Sequence, residues 1–101
     1  MSDELITWLR AQLDEDERQA GIALGRGTPA AQQLARFLLA DVQAKRQIFD
    51  HASDWAATLH HTPEGWTPQT TTPYRMAMEW TVQHLALAYA DRDGYRQEWR
   101  P

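Results

Sequence analysis

The sequence predicts an all-α fold, a small antiparallel three-helix bundle with a short C-terminal helical or extended segment packed on it. Apolar residues recur at spacings of three and four along most of the chain, as they do on the buried face of a helix. Thr-Pro pairs, which are typical of helix starts, precede two of these stretches. Alternation of the kind that marks strands is short everywhere. Because the chain has 101 residues, we expect one helical domain, 1–101.

The first helix is predicted over about residues 3–24. Its apolar positions recur at helical spacing. They are Leu5, Leu9, Leu13, Ala20 and Leu24, with Ile6 and Trp8 beside them. Four consecutive acids at 14–17 interrupt this face, and we interpret them as a solvated surface with one i,i+4 pair, Asp14–Arg18.

The second helix is predicted over about residues 29–60, starting at the Thr28-Pro29 pair. Its apolar seam alternates spacings of three and four, which is typical of a long helix packed along antiparallel neighbours. The seam contains Ala31, Ala35, Leu38, Val42, Lys45, Phe49, Ala52, Ala56 and Leu59. Ser53-Asp54 could instead break this helix and cap a separate short one, and the sequence leaves that alternative open.

The third helix is predicted over about residues 73–90, after a loop at 61–72 and a start at Thr72-Pro73. It carries apolar residues on two sides, which predicts a helix wedged between two partners. One stripe contains Met76, Trp80 and Leu87, and the other contains Met78, Val82, Leu85 and Tyr89. The C-terminal segment 91–101 opens with a turn, and the i,i+4 spacing of Tyr95 and Trp99 predicts one shared face of a last helical turn.

Charge and composition argue against several functional classes. A net charge of -4 counts against nonspecific nucleic-acid binding, which needs clustered positive charge. The lack of cysteine excludes disulfides, thiolate zinc sites and a cysteine nucleophile. Together with an N-terminus that has early acids and no basic leader, it favours a cytoplasmic protein. The longest fully apolar run, Phe37–Ala40, is too short to span a membrane.

Aromatic rings and arginines are concentrated at the end of the chain and around the second loop. Trp, Tyr and Arg are the usual anchors of protein interfaces, whereas most chain ends fray into small polar residues. The sequence therefore predicts a partner-binding surface made of Trp55, Trp66, Arg92, Tyr95, Arg96, Trp99 and Arg100. The partner would be another protein or a second copy of the chain. The alternative is that the rings cap the open ends of the bundle, with Tyr95 and Trp99 buried against Trp80 and its neighbours.

No catalytic set and no cofactor motif is evident, so we expect a noncatalytic interaction or accessory module. A second hypothesis is a metal-dependent enzyme that uses His51, Asp54, His60 and His84, although their spacing matches no H-x-x-x-H or H-E-x-x-H signature. His84 faces the apolar side of its helix, which predicts a hydrogen-bonded interior imidazole. When Gly94 is aligned with the glycine of a calcium loop, Tyr89 and Arg100 occupy the positions of the first and last acidic ligands. The run at 91–94 is therefore interpreted as a turn. A helix-turn-helix DNA binder is a third hypothesis, which the acidic balance disfavours.

Four stretches of the chain resemble known sequences and occur in the same order as in them. They are Leu5–Glu17, Asp41–His51, Leu85–Asp91 and Tyr95–Pro101. Together they resemble a family of short actinobacterial proteins of unknown function, domain-of-unknown-function family 6221. Members usually have Pro where this chain has Ala88, a difference that lets the third helix continue through Tyr89. They often have His-Asp-Pro where this chain has Gly27-Thr28-Pro29. The resemblance implies an actinobacterial or actinophage origin and no activity, and the arginine-rich basic composition, with Lys45 the single lysine, fits a high-GC genome.

Overall fold

A computed structural model describes residues 3–101, which form three long helices and one final helical turn joined by turns and a loop. The helices are α1 (Asp3–Arg26), α2 (Pro29–Thr58) and α3 (Pro68–Leu87), and a 3₁₀ turn covers Gln97–Trp99. No strand occurs within these residues. The all-α prediction is therefore confirmed.

A tight turn joins α1 to α2 and pairs them as a helical hairpin. Thr28 is an extended N-cap whose hydroxyl accepts a hydrogen bond from the amide of Ala31 at 3.2 Å, and Pro29 takes the first helical position. These are the roles that the Thr-Pro pair predicts. Gly27 lets the chain turn closely, because a Cβ there would lie 2.5 Å from the carbonyl oxygen of Ala23.

α2 is one uninterrupted helix, so the break considered at Ser53-Asp54 does not occur. The Ser53 hydroxyl donates to the carbonyl oxygen of Asp50 at 3.3 Å, within the same helix. A serine that bonds back in this way is not available to cap a new helix. α2 ends at Thr58, slightly before the predicted His60.

α3 begins at Pro68 and not at the predicted Pro73. Thr followed by Pro occurs at both places, and the chain uses the earlier pair, with Thr67 as the extended N-cap. Pro73 then lies inside the helix, near its start. There it lacks the amide that would otherwise bond to the preceding turn. α3 also ends at Leu87, before the predicted Ala90, and a chain of turns follows.

The core lies along α2, which packs against both of the other helices. Buried side chains from all three helices and from the C-terminal segment form one cluster. Its members are Leu5, Leu9, Leu13, Val42, Phe49, Ala52, Val82, Ala86, Tyr89 and Trp99. Phe49 is the largest fully buried side chain. Burial of each large side chain contributes roughly 1.5–3 kcal/mol, so this cluster is the main source of stability.

The prediction that α3 is wedged between two helices is wrong. Val82 and Ala86 are fully buried, but Met76 and Trp80, on the other stripe, are 60% and 58% exposed. α3 packs mainly on α2 and touches α1 little. Its second stripe therefore faces outward.

The fold is elongated, because α1 and α2 extend beyond the end of the shorter α3. It extends 55 × 28 × 16 Å, and its radius of gyration is 16.3 Å. A compact domain of this length would have a radius of gyration of about 13 Å. α3 covers the second half of α2, and Ala88 and Tyr89, which follow α3, lie beside Val42 and Lys45. The first half of α2 is therefore packed mainly against α1. None of the helices within residues 3–101 is long and apolar enough to cross a membrane.

Candidate interaction surfaces

The C-terminal segment folds back onto α1 through three packed rings. The ring of Trp8 lies 5.6 Å from that of Tyr95 and 5.5 Å from that of Trp99, between centroids. The Trp8 indole N–H donates to the carbonyl oxygen of Asp93 at 3.0 Å. Trp99 is only 6% exposed. Trp99 is thus buried and Tyr95 partly buried within the chain, both against Trp8 and not against Trp80, the neighbour considered in the alternative.

The expected final helical turn is also shorter than predicted. The 3₁₀ turn covers only Gln97–Trp99, and Tyr95 precedes it. The Tyr95 and Trp99 rings nevertheless meet edge to face at 5.7 Å, because the chain bends between them. Gly94 makes this approach possible: it has φ +89° and lies where a Cβ would be 2.7 Å from Nε1 of Trp8.

The arginines of the C-terminal segment are each bonded to this chain. Arg92 donates to the carboxylate of Asp16 at 2.7 Å. Arg96 is paired with Glu4 of α1. Arg100 donates to a glutamine of the final turn at 2.7 Å. Four members of the predicted partner-binding surface, Arg92, Tyr95, Arg96 and Trp99, therefore hold the segment against α1, while Arg100 bonds to Gln97 within the segment itself.

The acidic run at 14–17 attaches α1 to other elements and is not simply the solvated face that was predicted. Asp14 and Glu17 both accept hydrogen bonds from Arg46 of α2, at 2.7 Å and 3.1 Å. One arginine therefore clamps two successive turns of α1. The predicted Asp14–Arg18 pair does not form.

Glu15, on the outer side of the same run, pairs within its own helix. Arg18 donates to its carboxylate at 2.7 Å, and Gln19 donates to it at 2.9 Å. The hydrogen bond from Arg18, followed by that from Gln19, lowers the pKa of Glu15 to about 2. The pair is exposed to solvent, and it contributes little to stability for that reason.

A second set of rings lines a cavity where α2, the second loop and α3 meet. Trp55 and Trp66 are stacked, with centroids 6.4 Å apart and planes at 24°. Tyr74 meets Trp66 edge to face at 5.5 Å, and His51 lies 6.4 Å from Trp55. The cavity has a volume of about 250 Å³. We call it the aromatic pocket, and its lining consists of His51, Trp55, Leu59, Trp66, Tyr74 and Met78.

The predicted partner-binding surface is therefore divided into two parts. Trp55 and Trp66 line the aromatic pocket, while the other five members belong to the C-terminal segment. Sequence reasoning misses Tyr74 because the sequence predicts Pro73 as the start of α3. The earlier start at Pro68 puts Tyr74 on the second turn of the helix, within reach of Trp66.

A larger groove lies along α1 and α2 beyond the end of α3, and it was not predicted. Its volume is about 490 Å³. We call it the open groove, and its apolar lining consists of Ala20, Ala23, Ala31, Leu34, Ala35, Leu38, Val42 and Ala88. Leu34 and Leu38 are 60% and 46% exposed, and the neighbouring Phe37 is 70% exposed. The seam predicted for α2 thus remains open at Leu38, because no third helix covers it.

The polar end of the open groove is made of neutralised ion pairs around a tyrosine. Lys45 pairs with Asp41 at 2.8 Å, and Arg92 pairs with Asp16 at 2.7 Å. Both cations approach the ring of Tyr89. Burial, followed by the negative charge of Asp16, raises the pKa of the Tyr89 hydroxyl above its ordinary value.

The histidines proposed for a metal site do not come together. Within residues 3–101, no group of three or more His, Asp or Glu side chains is placed to hold a metal ion. His51 is in the aromatic pocket, and His84 packs against Trp80 with ring centroids 3.7 Å apart. His84 is exposed, so the interior imidazole predicted for it is wrong, although its Nδ1 lies 2.9 Å from the carbonyl oxygen of Trp80.

These features define a small all-α protein whose distinctive surfaces are an apolar groove and an aromatic pocket. The chain belongs to the family of unknown function DUF6221, whose profile matches residues 2–101. Comparison with curated proteins found no match, and comparison with solved structures found none either.

Proposed function

We propose that this protein is a noncatalytic interaction module that pairs with a second copy of itself through the open groove. The observation that supports the proposal is the exposure of two leucines that line the groove, Leu34 at 60% and Leu38 at 46%, with Phe37 next to Leu38 in the sequence at 70%. Single exposed apolar residues are common on protein surfaces. A contiguous apolar patch along a groove is typical of an interaction site.

The position of the groove favours a helix as its occupant. In the second half of α2, the corresponding side is covered by α3, for example at Ala52, which lies beside Met78 and Thr81. In the first half, the same side is lined by leucines and alanines but carries no third helix. Small, partly exposed residues of the lining such as Ala23 and Ala31 let a helix backbone approach closely. An apolar helix lying in line with α3 would therefore bury this surface.

A second copy is the occupant that fits the shape and the charges. The exposed end of the α1–α2 hairpin is half of a four-helix arrangement, and two such halves related by a two-fold axis complete one. The charges at the rim are already paired, Asp41 with Lys45 and Asp16 with Arg92. When two copies meet, each charge at the rim therefore already has a partner of opposite sign in its own copy.

The test is the mass of the protein in solution, measured by light scattering or sedimentation from about 10 to 300 µM, since dimers depend on concentration. We expect the mass to rise from 11.6 kDa toward twice that value. Leu34→Gln should shift the protein toward the monomer, because Leu34 lines the groove and is 60% exposed. Met76→Gln is the matched control, because Met76 is 60% exposed on α3 and outside the groove. A wild-type monomer throughout this range would refute pairing through the groove.

We further infer an actinobacterial or actinophage origin and a cytoplasmic location. The origin is supported by family membership together with the composition, in which Lys45 is the single lysine among ten basic residues. The location is supported by the lack of cysteine, since secreted small domains commonly rely on disulfides. Detection of the protein in the soluble fraction of a host cell would test the location.

A further inference from the structure

We propose that the aromatic pocket binds an organic cation, either an alkylated ammonium or a guanidinium group. Such groups are attracted to the faces of aromatic rings by the negative potential above the ring plane. Three rings, those of Trp55, Trp66 and Tyr74, line the same small cavity. This site is separate from the open groove, so the proposal does not depend on pairing of the protein.

The rings of the pocket are available to a ligand. Trp55 is 39% exposed and Tyr74 is 55% exposed, so neither is part of the core. Trp66 contacts both of them and joins the two sides of the cavity. A side chain that served only to close the end of the bundle would be expected to bury its ring, as Trp99 does at 6% exposure. The arrangement instead leaves ring surface facing the cavity.

The charge around the pocket has the sign that a cation requires. The sequence contains no lysine or arginine between Arg46 and Arg75, a stretch that includes every pocket residue except Met78. The same stretch contains three acids, Asp50, Asp54 and Glu64. Within residues 3–101, the ion pairs use other carboxylates. The lining of the pocket therefore contains no lysine or arginine, and Arg75, which follows Tyr74, is paired with Glu79 at 3.7 Å.

The size of the pocket limits the ligand to one small group. Its volume of about 250 Å³ is below the range of roughly 300–1,000 Å³ that is typical of drug-sized ligands. A trimethylammonium head group or the end of one basic side chain is of the right scale. The cation could thus be a free small amine or a side chain of another protein, and both share the same recognition chemistry.

The experiment is a titration of the full chain with each of four probes. Tryptophan fluorescence and NMR detect the binding. The probes are choline, the amide of N-acetyl-trimethyllysine, the amide of N-acetylarginine, and 3,3-dimethyl-1-butanol, the neutral isostere of choline. The titrations are made at one fixed pH for all four probes. We expect at least one cation to bind roughly 3- to 30-fold more tightly than the alcohol, as cation–π attraction predicts. The cation that binds best distinguishes a free amine from a side-chain source.

Variants locate the binding. Trp66→Leu and, separately, Trp55→Leu should each weaken cation binding by at least about threefold. Trp80→Leu should leave it unchanged, because Trp80 is comparably exposed at 58% but lies outside the pocket. Circular dichroism checks that each variant is folded. The proposal is refuted if the alcohol binds as tightly as every cation, if no probe binds, or if the Trp80 variant loses binding as the pocket variants do.

Discussion

Gly94 is the residue on which the position of the C-terminal segment depends most directly. Its φ of +89° is a conformation that residues with a Cβ rarely adopt, and the Trp8 indole leaves no room for one. We expect Gly94→Ala to reduce the free energy of unfolding by about 2–4 kcal/mol, since it adds strain and displaces the contact between Trp8 and the segment. Urea unfolding followed by circular dichroism measures the loss.

Gly65→Ala is the matched control for Gly94→Ala. Gly65 has nearly the same φ, +83°, but no atom lies within 4 Å of the position of its Cβ. It should therefore show the conformational cost alone, about 1–2 kcal/mol. Equal losses for the two variants would mean that the contact with Trp8 is unimportant.

Tyr89 gives the protein a dependence on alkaline pH. Burial raises the pKa of its hydroxyl in the folded state, so the folded protein holds this proton more tightly than the unfolded chain does. The resulting stability is fully present below the unfolded pKa of about 10 and is lost as the pH rises through the folded pKa. We expect the free energy of unfolding to fall above about pH 10, and to fall less steeply in Tyr89→Phe.

Urea unfolding at pH 8 and at about pH 10.5 measures this dependence. Tyr74→Phe is the appropriate comparison, because Tyr74 is 55% exposed. Identical alkaline losses in Tyr89→Phe and in the wild type would show that burial of the Tyr89 hydroxyl has no effect on stability.

At the scale of elements, the C-terminal segment completes the core instead of extending from it. Trp99 shares the buried cluster with side chains of all three helices, and its neighbour Trp8 lies on α1. We expect Trp99→Ala to cost about 3–5 kcal/mol, the usual range for a buried tryptophan. Thermal unfolding followed by circular dichroism tests this, with Trp80→Ala, 58% exposed in the wild type, as a control that changes stability little.

Deletion of residues 92–101 tests the contribution of the whole C-terminal segment to stability. It removes Trp99 and also the Arg92 bond to Asp16. Since whole domains are stable by only about 5–15 kcal/mol, we expect the truncated chain to lose most of its helical signal. Full helicity after truncation would mean that the segment is an accessory to the fold.

At the scale of the whole molecule, α3 covers only one end of the α1–α2 hairpin and leaves the other end exposed. We expect amide hydrogen exchange to be fastest at the end of the hairpin, near residues 18–34, and slowest around Phe49 and Val82, which are fully buried. The measurement should be made at low protein concentration, so that pairing does not protect the hairpin. Uniform protection along α2 would contradict this view.

The sequence predicts the helices well where the signal is local, and poorly where the outcome depends on distant contacts. Thr28-Pro29 marks the start of α2 because the capping atoms are within one turn of each other. The start of α3 is ambiguous, because three Thr-Pro pairs, at 62–63, 67–68 and 72–73, carry the same local signal. The seam of α2 predicts burial of Leu38, which also requires α3 to reach that far, and it does not.

The surfaces were harder to predict than the helices for the same reason. Ring type identified Trp55, Trp66 and Trp99 as unusual positions, but it does not show which ring meets which. Trp99 meets Trp8, at the opposite end of the chain, whereas Trp55 and Trp66 meet each other and Tyr74. Spacing along a helix carries no information about contacts of this kind.

Lys45, which pairs with Asp41 at the rim of the open groove, is the single lysine of the chain. Its side chain is 31% exposed. An amine-selective reagent therefore has one side-chain target in this protein, and that target lies beside the proposed pairing surface. The extent of its acylation, compared between dilute and concentrated solutions, is a chemical reporter of whether the groove is occupied, and it needs no engineered label.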